Sequence, residues 1–242
     1  MFMKNISIFQ DKDVSSVKQA AIKMLEKCLV KNKNSKILLL LSGGSAFSLL
    51  SLNKKCLNSN VTVGMLDERY SDDPQINNFF QLSLTSFFAI AKKSGCKFID
   101  TKVNEKESIQ DLAFRFEKQL RLWKDRNPNG KIIITQGMGS DGHTAGIMPY
   151  PENKRLFDKL FETEDKWVVD YDAGKKNSYP LRITTTIPFI KLIDISIMYV
   201  VGKEKANVLK KALSENISHN IFPIAVVKEM KSVFLFTDVK IN

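Results

Sequence analysis

Lys36-Ile37-Leu38-Leu39-Leu40-Leu41-Ser42-Gly43-Gly44-Ser45 joins a short, uninterrupted aliphatic run to a Ser-Gly-Gly-Ser turn. The run is too short for a buried helix. Unbroken apolarity, without alternation, marks a strand covered on both faces, as parallel sheets require. Residues Ala46 to Leu52 beyond the turn read as a helix, so the stretch is a strand–loop–helix unit. Outward from it the pattern repeats. On the N-terminal side, Val14, Val17, Ala21, Met24, Leu25 and Cys28 fall at helical spacing behind Asp13, a natural N-cap. On the C-terminal side, Val61 to Leu66 reads as a second buried strand ending at Asp67-Glu68-Arg69. A helix follows over Asn77 to Phe88, then a short strand over Cys96 to Ile99. Ile109, Leu112, Ala113, Phe116, Leu120 and Trp123 trace a long amphipathic helix that Pro128-Asn129-Gly130 ends.

Ile132-Ile133-Ile134, Trp167-Val168-Val169, Arg182 to Thr186 and Ile195 to Val201 are further β-prone runs. A helix from Lys203 to Leu213, a helix near Ala225 and a strand at Val233-Phe234-Leu235-Phe236 close the chain. Strands alternating with helices predict a three-layer, Rossmann-like α/β fold. Its sheet is mostly parallel, with helices on both faces. Residues 1–242 show no repeat and no linker, which predicts a single domain. In such sheets ligands sit beyond the carboxyl ends of the strands. Three loops fall there, after Leu41, Leu66 and Gln136.

Composition narrows the classes. A hydrophobic content of 43% is ordinary for a globular protein. No apolar run approaches the ~20 residues of a membrane helix, and Met1 to Asn5 lack a secretory signal's apolar segment. Cys28, Cys56 and Cys96 are odd in number and widely spaced, which predicts inert thiols and a cytoplasmic protein. The net charge of +11 is spread along the chain as single and paired lysines. No basic arm or stacking platform for nucleic acid emerges. The charge suits solvated faces and the steering of a small anion.

The chemistry concentrates in Gln136-Gly137-Met138-Gly139-Ser140-Asp141-Gly142-His143-Thr144. Gly137, Gly139 and Gly142 let the backbone turn sharply beside a ligand. His143 is one of only two histidines in the chain, which makes it the leading general base near neutral pH. Asp141 is close enough to orient it. The segment matches GxGxxG, but Pro149 and Pro151 break the helix that a dinucleotide fingerprint must open. Ser140 does not sit in a nucleophile elbow. Ser42-Gly43-Gly44-Ser45 either cradles an anion at a helix start or is a tight turn with a serine cap. No Gly-Lys-Ser/Thr follows, so a nucleotide P-loop is excluded. Asp67-Glu68-Arg69 reads either as an anion site or as a surface ion cluster. Arg182 and Lys205, taken alone, read as solvated.

The Ser42-Gly43-Gly44-Ser45, Asp67-Glu68-Arg69 and Asp141-Gly142-His143-Thr144 motifs, in this order and spacing, resemble those of the 6-phosphogluconolactonases. That family shares its fold with the glucosamine-6-phosphate deaminase/isomerases. Arg182-Ile183-Thr184 and Gly202 with Lys205 extend the resemblance toward the C-terminus. The deaminases carry a glutamate just before the proline of this loop, and here Met148 stands in that place. Thr144 after the histidine is similar to the lactonases. The chain lacks the Val-Pro pair usual after Asp-Glu-Arg, and Ala145-Gly146-Ile147-Met148-Pro149 replaces the commoner Ala-Ser-Leu-Phe-Pro.

The resemblance implies hydrolysis of a sugar-phosphate lactone without metal or cofactor, with no nucleic-acid or membrane partner. It implies a phosphate held by Ser42, Gly43, Gly44 and Ser45, countered by Arg182 and Lys205. His143 would be the base, Asp141 its partner, and Arg69 the oxyanion or substrate contact. Asp67 would hold Arg69 or a sugar hydroxyl, and Gly137, Gly139, Gly142 and Thr144 would shape the loop. A deaminase-like enzyme and a non-catalytic sugar-phosphate sensor remain as alternatives.

Overall fold

The computed structural model describes residues 4–241. Met1 to Met3, part of the segment read above as lacking a signal, lie outside the described residues. The first half runs β1 (Ile6–Gln10), α1 (Val14–Lys31), β2 (Ile37–Leu41), β3 (Val61–Met65), β4 (Asp67–Arg69), α2 (Asn78–Ser83), α3 (Ser86–Lys93), β5 (Lys97–Phe98) and α4 (Ile109–Arg126). The second half runs β6 (Lys131–Gln136), α5 (Lys154–Phe161), β7 (Val168–Asp172), β8 (Leu181–Thr185), α6 (Ile187–Leu192), β9 (Ile195–Val200), α7 (Ala206–Ser214) and β10 (Val233–Thr237).

Seven strands form one sheet in the order β1-β10-β9-β6-β2-β3-β5, and every adjacent pair is parallel. The α/β expectation holds. β2 shows why its five residues are all apolar: each is buried. Ile37, Leu39 and Leu41 pack with α1, α2 and α3 on one face. Leu38 and Leu40 pack with α4, α5 and α6 on the other. Alternate side chains of a strand point to opposite faces, so both layers need apolar partners from the same run.

Several elements depart from expectation. The turn after β2 leads into a 3-10 helix, Gly44–Leu49, not an α-helix. The helix expected over Asn77 to Phe88 is two helices, because Thr85 caps a fresh start by accepting from Phe88 N–H. The closing helix near Ala225 is likewise a 3-10 helix, Pro223–Lys228. The strands near Trp167 and Arg182 do not join the main sheet. With β4 they form a separate antiparallel sheet, β4-β8-β7. β1, α5 and α6 carried no periodicity strong enough to be read. Their signals are short or, in β1, largely exposed.

Asp13 caps α1 as expected, accepting from Ser15 and Ser16 N–H. Ser108 and Asp111 form a capping box at α4. The three cysteines are free and buried, and burial raises each thiol's pKa. Among the described residues no helix is long and apolar enough to cross a membrane.

Candidate active site

β2 and β6 are neighbours, and the chain progresses away from them in opposite directions. From β2 it moves to β3 and β5, and from β6 to β9 and β10. At such a reversal the loops diverge and leave a crevice at the carboxyl ends of the strands. A cavity of about 170 Å³ opens there. Ser42, Gly43, Gly44 and Ser45 line it from the loop after β2, and Gly137, His143 and Thr144 from the loop after β6. Asp67, Arg69 and Arg182 line it from the small sheet. Three separate motifs thus meet in one place.

Asp141, Gly139 and Gly142 belong to the same loop but not to the cavity lining, and Lys205 also lies outside it. Lys205 stands at the N-terminal end of α7. Asn78, Met138, Ala145 and Gly146 line the cavity without having been singled out as site residues.

The loop after β6 is held from beneath by a buried polar chain. Ser196 Oγ donates to Gln136 Oε1 at 2.8 Å, and Gln136 Nε2 donates to Thr144 Oγ1 at 2.9 Å. Thr144 Oγ1 in turn donates to the Gly137 carbonyl at 2.7 Å. The Thr144 hydroxyl therefore already has a donor and an acceptor, and its role is to close the loop. The small sheet adds two ties: Thr184 Oγ1 donates to the Ala145 carbonyl and Tyr171 OH to that of Gly146. Gly146 has φ +73°, and a Cβ there would meet Asp67 at 2.8 Å. A larger residue would push the loop off the small sheet. Gln136 at the end of an isoleucine run was the available signal for this network, since polar groups in a buried strand need partners.

His143 is half-buried, its side chain 35% exposed, and Nδ1 lies 2.6 Å from Asp141 Oδ1. The same oxygen accepts the His143 backbone N–H at 3.1 Å. Partial burial opposes ionisation of Asp141, but the hydrogen bond and charge of His143 outweigh it. The carboxyl is held below the usual carboxylate range. An ionised Asp141 accepts a hydrogen bond from Nδ1–H, and in that tautomer the neutral ring carries its lone pair on Nε2.

The cationic side is built differently from expectation. Asp67 holds Arg182, not Arg69: Arg182 Nη2 donates to Asp67 Oδ2, and both side chains are 7% exposed. Arg69 instead lies over the Tyr179 ring, 4.8 Å from its centroid. Glu68, between Asp67 and Arg69, turns away from the cavity and is fully buried. It accepts from the N–H groups of Arg69, Asn78 and Phe79 and from Thr101 Oγ1. Burial pushes its pKa up to about 8 against these bonds.

Buried polar atoms without partners cluster here. Ser42 Oγ, Arg69 Nε, Asn78 Oδ1 and Arg182 Nε have none, and their residues all line the cavity. No side chain caps the 3-10 helix after Gly43, so Ser42 is not the simple turn cap of the alternative reading. Buried donors and acceptors normally find partners, and several unmet at one cavity mark a ligand site. Among the described residues no group of three or more His, Cys, Asp or Glu is arranged to hold a metal ion.

Fold and site define an α/β protein with a crevice at its switch point, lined by two arginines and by His143, which pairs with Asp141. The model for the glucosamine-6-phosphate isomerases/6-phosphogluconolactonase matches residues 10–235, and the chain belongs to that family. Human 6-phosphogluconolactonase is 26% identical over 212 residues, 83% of this chain and 77% of that protein. The structure of a Plasmodium vivax 6-phosphogluconolactonase superposes with a TM-score of 0.74 at 15% identity, covering 98% of this chain and 92% of the other. A monomeric glucosamine-6-phosphate deaminase superposes nearly as well, with a TM-score of 0.72 at 18% identity and 96% of each chain covered. The shared fold does not separate the two activities.

Proposed function

We propose that this chain, acting as one domain, hydrolyses 6-phospho-D-glucono-1,5-lactone to 6-phospho-D-gluconate. The observation that carries the reading is the pairing of His143 Nδ1 with Asp141 in a crevice that Arg69 and Arg182 also line. Nε2 takes a proton from water as the water oxygen attacks C1 of the lactone. The carbonyl electrons collect on its oxygen, and Arg69, with Nε unpartnered, stabilises that charge. Collapse breaks the C1–ring-oxygen bond, and His143 returns the proton to the departing ring oxygen. The new carboxylic acid then ionises. The Ser42–Ser45 loop and Arg182 hold the phosphate, with the Asp67 carboxylate fixing the guanidinium. Base, cations and loop supply this chemistry without a metal or cofactor.

The curated relatives named 6-phosphogluconolactonase support the reading. So does Met148, buried to 1% exposure and off the cavity lining, because a thioether cannot relay the proton that deamination requires. Three buried free thiols fit a reducing, cytoplasmic setting. The test is proton release in weak buffer from fresh 6-phosphogluconolactone, corrected for spontaneous opening. Wild type accelerates it, and His143→Ala lowers kcat by roughly 10²–10⁴-fold with an unchanged melting temperature. Ammonia released from glucosamine-6-phosphate, with no lactone turnover, would replace this reading by the deaminase one.

A further inference from the structure

Asn78 and Thr144 are the most deeply buried polar residues of the crevice, and of the two Asn78 has an atom without a partner. It is 1% exposed yet lines the cavity. Its backbone N–H is held by Glu68 Oε1 at 2.5 Å, and its side-chain Nδ2 donates to the Asp67 carbonyl at 3.1 Å. A carbonyl only accepts, so this bond decides which end of the amide is nitrogen. Oδ1 then has no partner. The amide lies against the backbone of the Ser42–Ser45 loop: a Cβ on Gly43 would meet Oδ1 at 2.6 Å.

The unpartnered atoms divide by chemistry. Arg69 Nε and Arg182 Nε can only donate, and Asn78 Oδ1 can only accept. A phosphate dianion answers the two arginines but has no proton for Asn78. Ser42 Oγ, the remaining unpartnered atom of the lining, can donate or accept. An anionic ligand that also carries a hydroxyl answers both kinds of atom.

We propose that Asn78 is a specificity residue whose Oδ1 accepts a hydrogen bond from one ring hydroxyl of the sugar phosphate, so that the crevice discriminates against the sugar lacking that hydroxyl. This rests on the proposed function for its substrate class. The residue touches substrate directly and takes no part in moving the proton.

The test uses a ring analogue that cannot be hydrolysed, 1,5-anhydroglucitol 6-phosphate, and its 2-, 3- and 4-deoxy derivatives. Binding to wild type, Asn78→Ala and Asn78→Asp is measured by calorimetry. One deoxy derivative binds wild type roughly five- to tenfold more weakly, the loss expected of one neutral hydrogen bond. That penalty falls below about twofold in Asn78→Ala, which has no acceptor, and grows in Asn78→Asp, whose charged acceptor bonds more strongly. Equal penalties in wild type and Asn78→Ala overturn the proposal, as does a wild type indifferent to every deoxygenation or unable to bind the parent. If Asn78→Ala does not fold, Asn78→Asp decides: an unchanged penalty overturns the assignment. Lactone turnover by wild type is read separately. Turnover without the hydroxyl coupling removes Asn78 from recognition and leaves the lactonase reading standing. Coupling without turnover does the reverse.

Discussion

Gly139 shows how one missing side chain can organise a base. A Cβ at this position would lie 2.2 Å from His143 Cε1 and Nδ1, and 2.7 Å from Asp141 Oδ1. No rotation about a single bond relieves a contact with both members of the pair. Gly139→Ala must therefore displace the imidazole or part it from Asp141. Misplacing a catalytic group by about 1 Å costs on the order of 10²-fold, so kcat for the lactone should drop by roughly 10–10²-fold. The exposed loop around Ser140 leaves room to yield, and the melting temperature should change by only a few degrees. An alanine variant with wild-type kcat would show that the ring position does not matter to the reaction. The same loop marks the limit of residue-level reading. Three glycines and a histidine announced a site, but the clash that requires glycine at 139 exists only once the ring is in place.

At the scale of elements, Glu68 ties β4 to the first turn of α2 and to Thr101. Its pKa of about 8 compares with a free glutamate's usual 4.5. Between these values the unfolded chain has released the proton that the folded chain keeps, so stability falls as pH rises through the window. Glu68→Gln removes the titration. Its denaturation midpoint should be flatter between about pH 5 and 8 than that of wild type, whatever its absolute stability. Parallel slopes for the two proteins would mean that Glu68 ionises normally. The small sheet to which β4 belongs explains part of what the sequence hid. Trp167-Val168-Val169 and Arg182 to Thr186 read as β-prone runs, the second with Ile183 as its one aliphatic residue beside an arginine and three threonines. Nothing local says that they pair antiparallel with Asp67–Arg69.

For the whole molecule, the net charge of +11 creates a field that attracts a phosphorylated substrate over distances set by salt. The screening length shortens from ~30 Å at 0.01 M to ~8 Å at 0.15 M ionic strength. kcat/KM for the phosphorylated lactone should fall several-fold across that range with kcat nearly constant, while the unphosphorylated lactone shows no trend. Salt dependence equal for both substrates would assign it to something other than charge.

By itself, the sequence determined the α/β class, the buried strands of the main sheet and the loops that line the crevice. These follow from local physics: unbroken apolar runs, helical spacing, and polar or glycine-rich turns where strands end. Only the tertiary structure decided that β4, β7 and β8 leave the main sheet, that Lys205 stands off the cavity, and that Asn78 enters it. The tertiary structure also gave Arg182 to Asp67, a partner 115 residues away in the chain. Such choices depend on which distant groups meet without water between them. A buried donor or acceptor has its partner selected by packing, and neither its own residue type nor its neighbours in sequence carry that information.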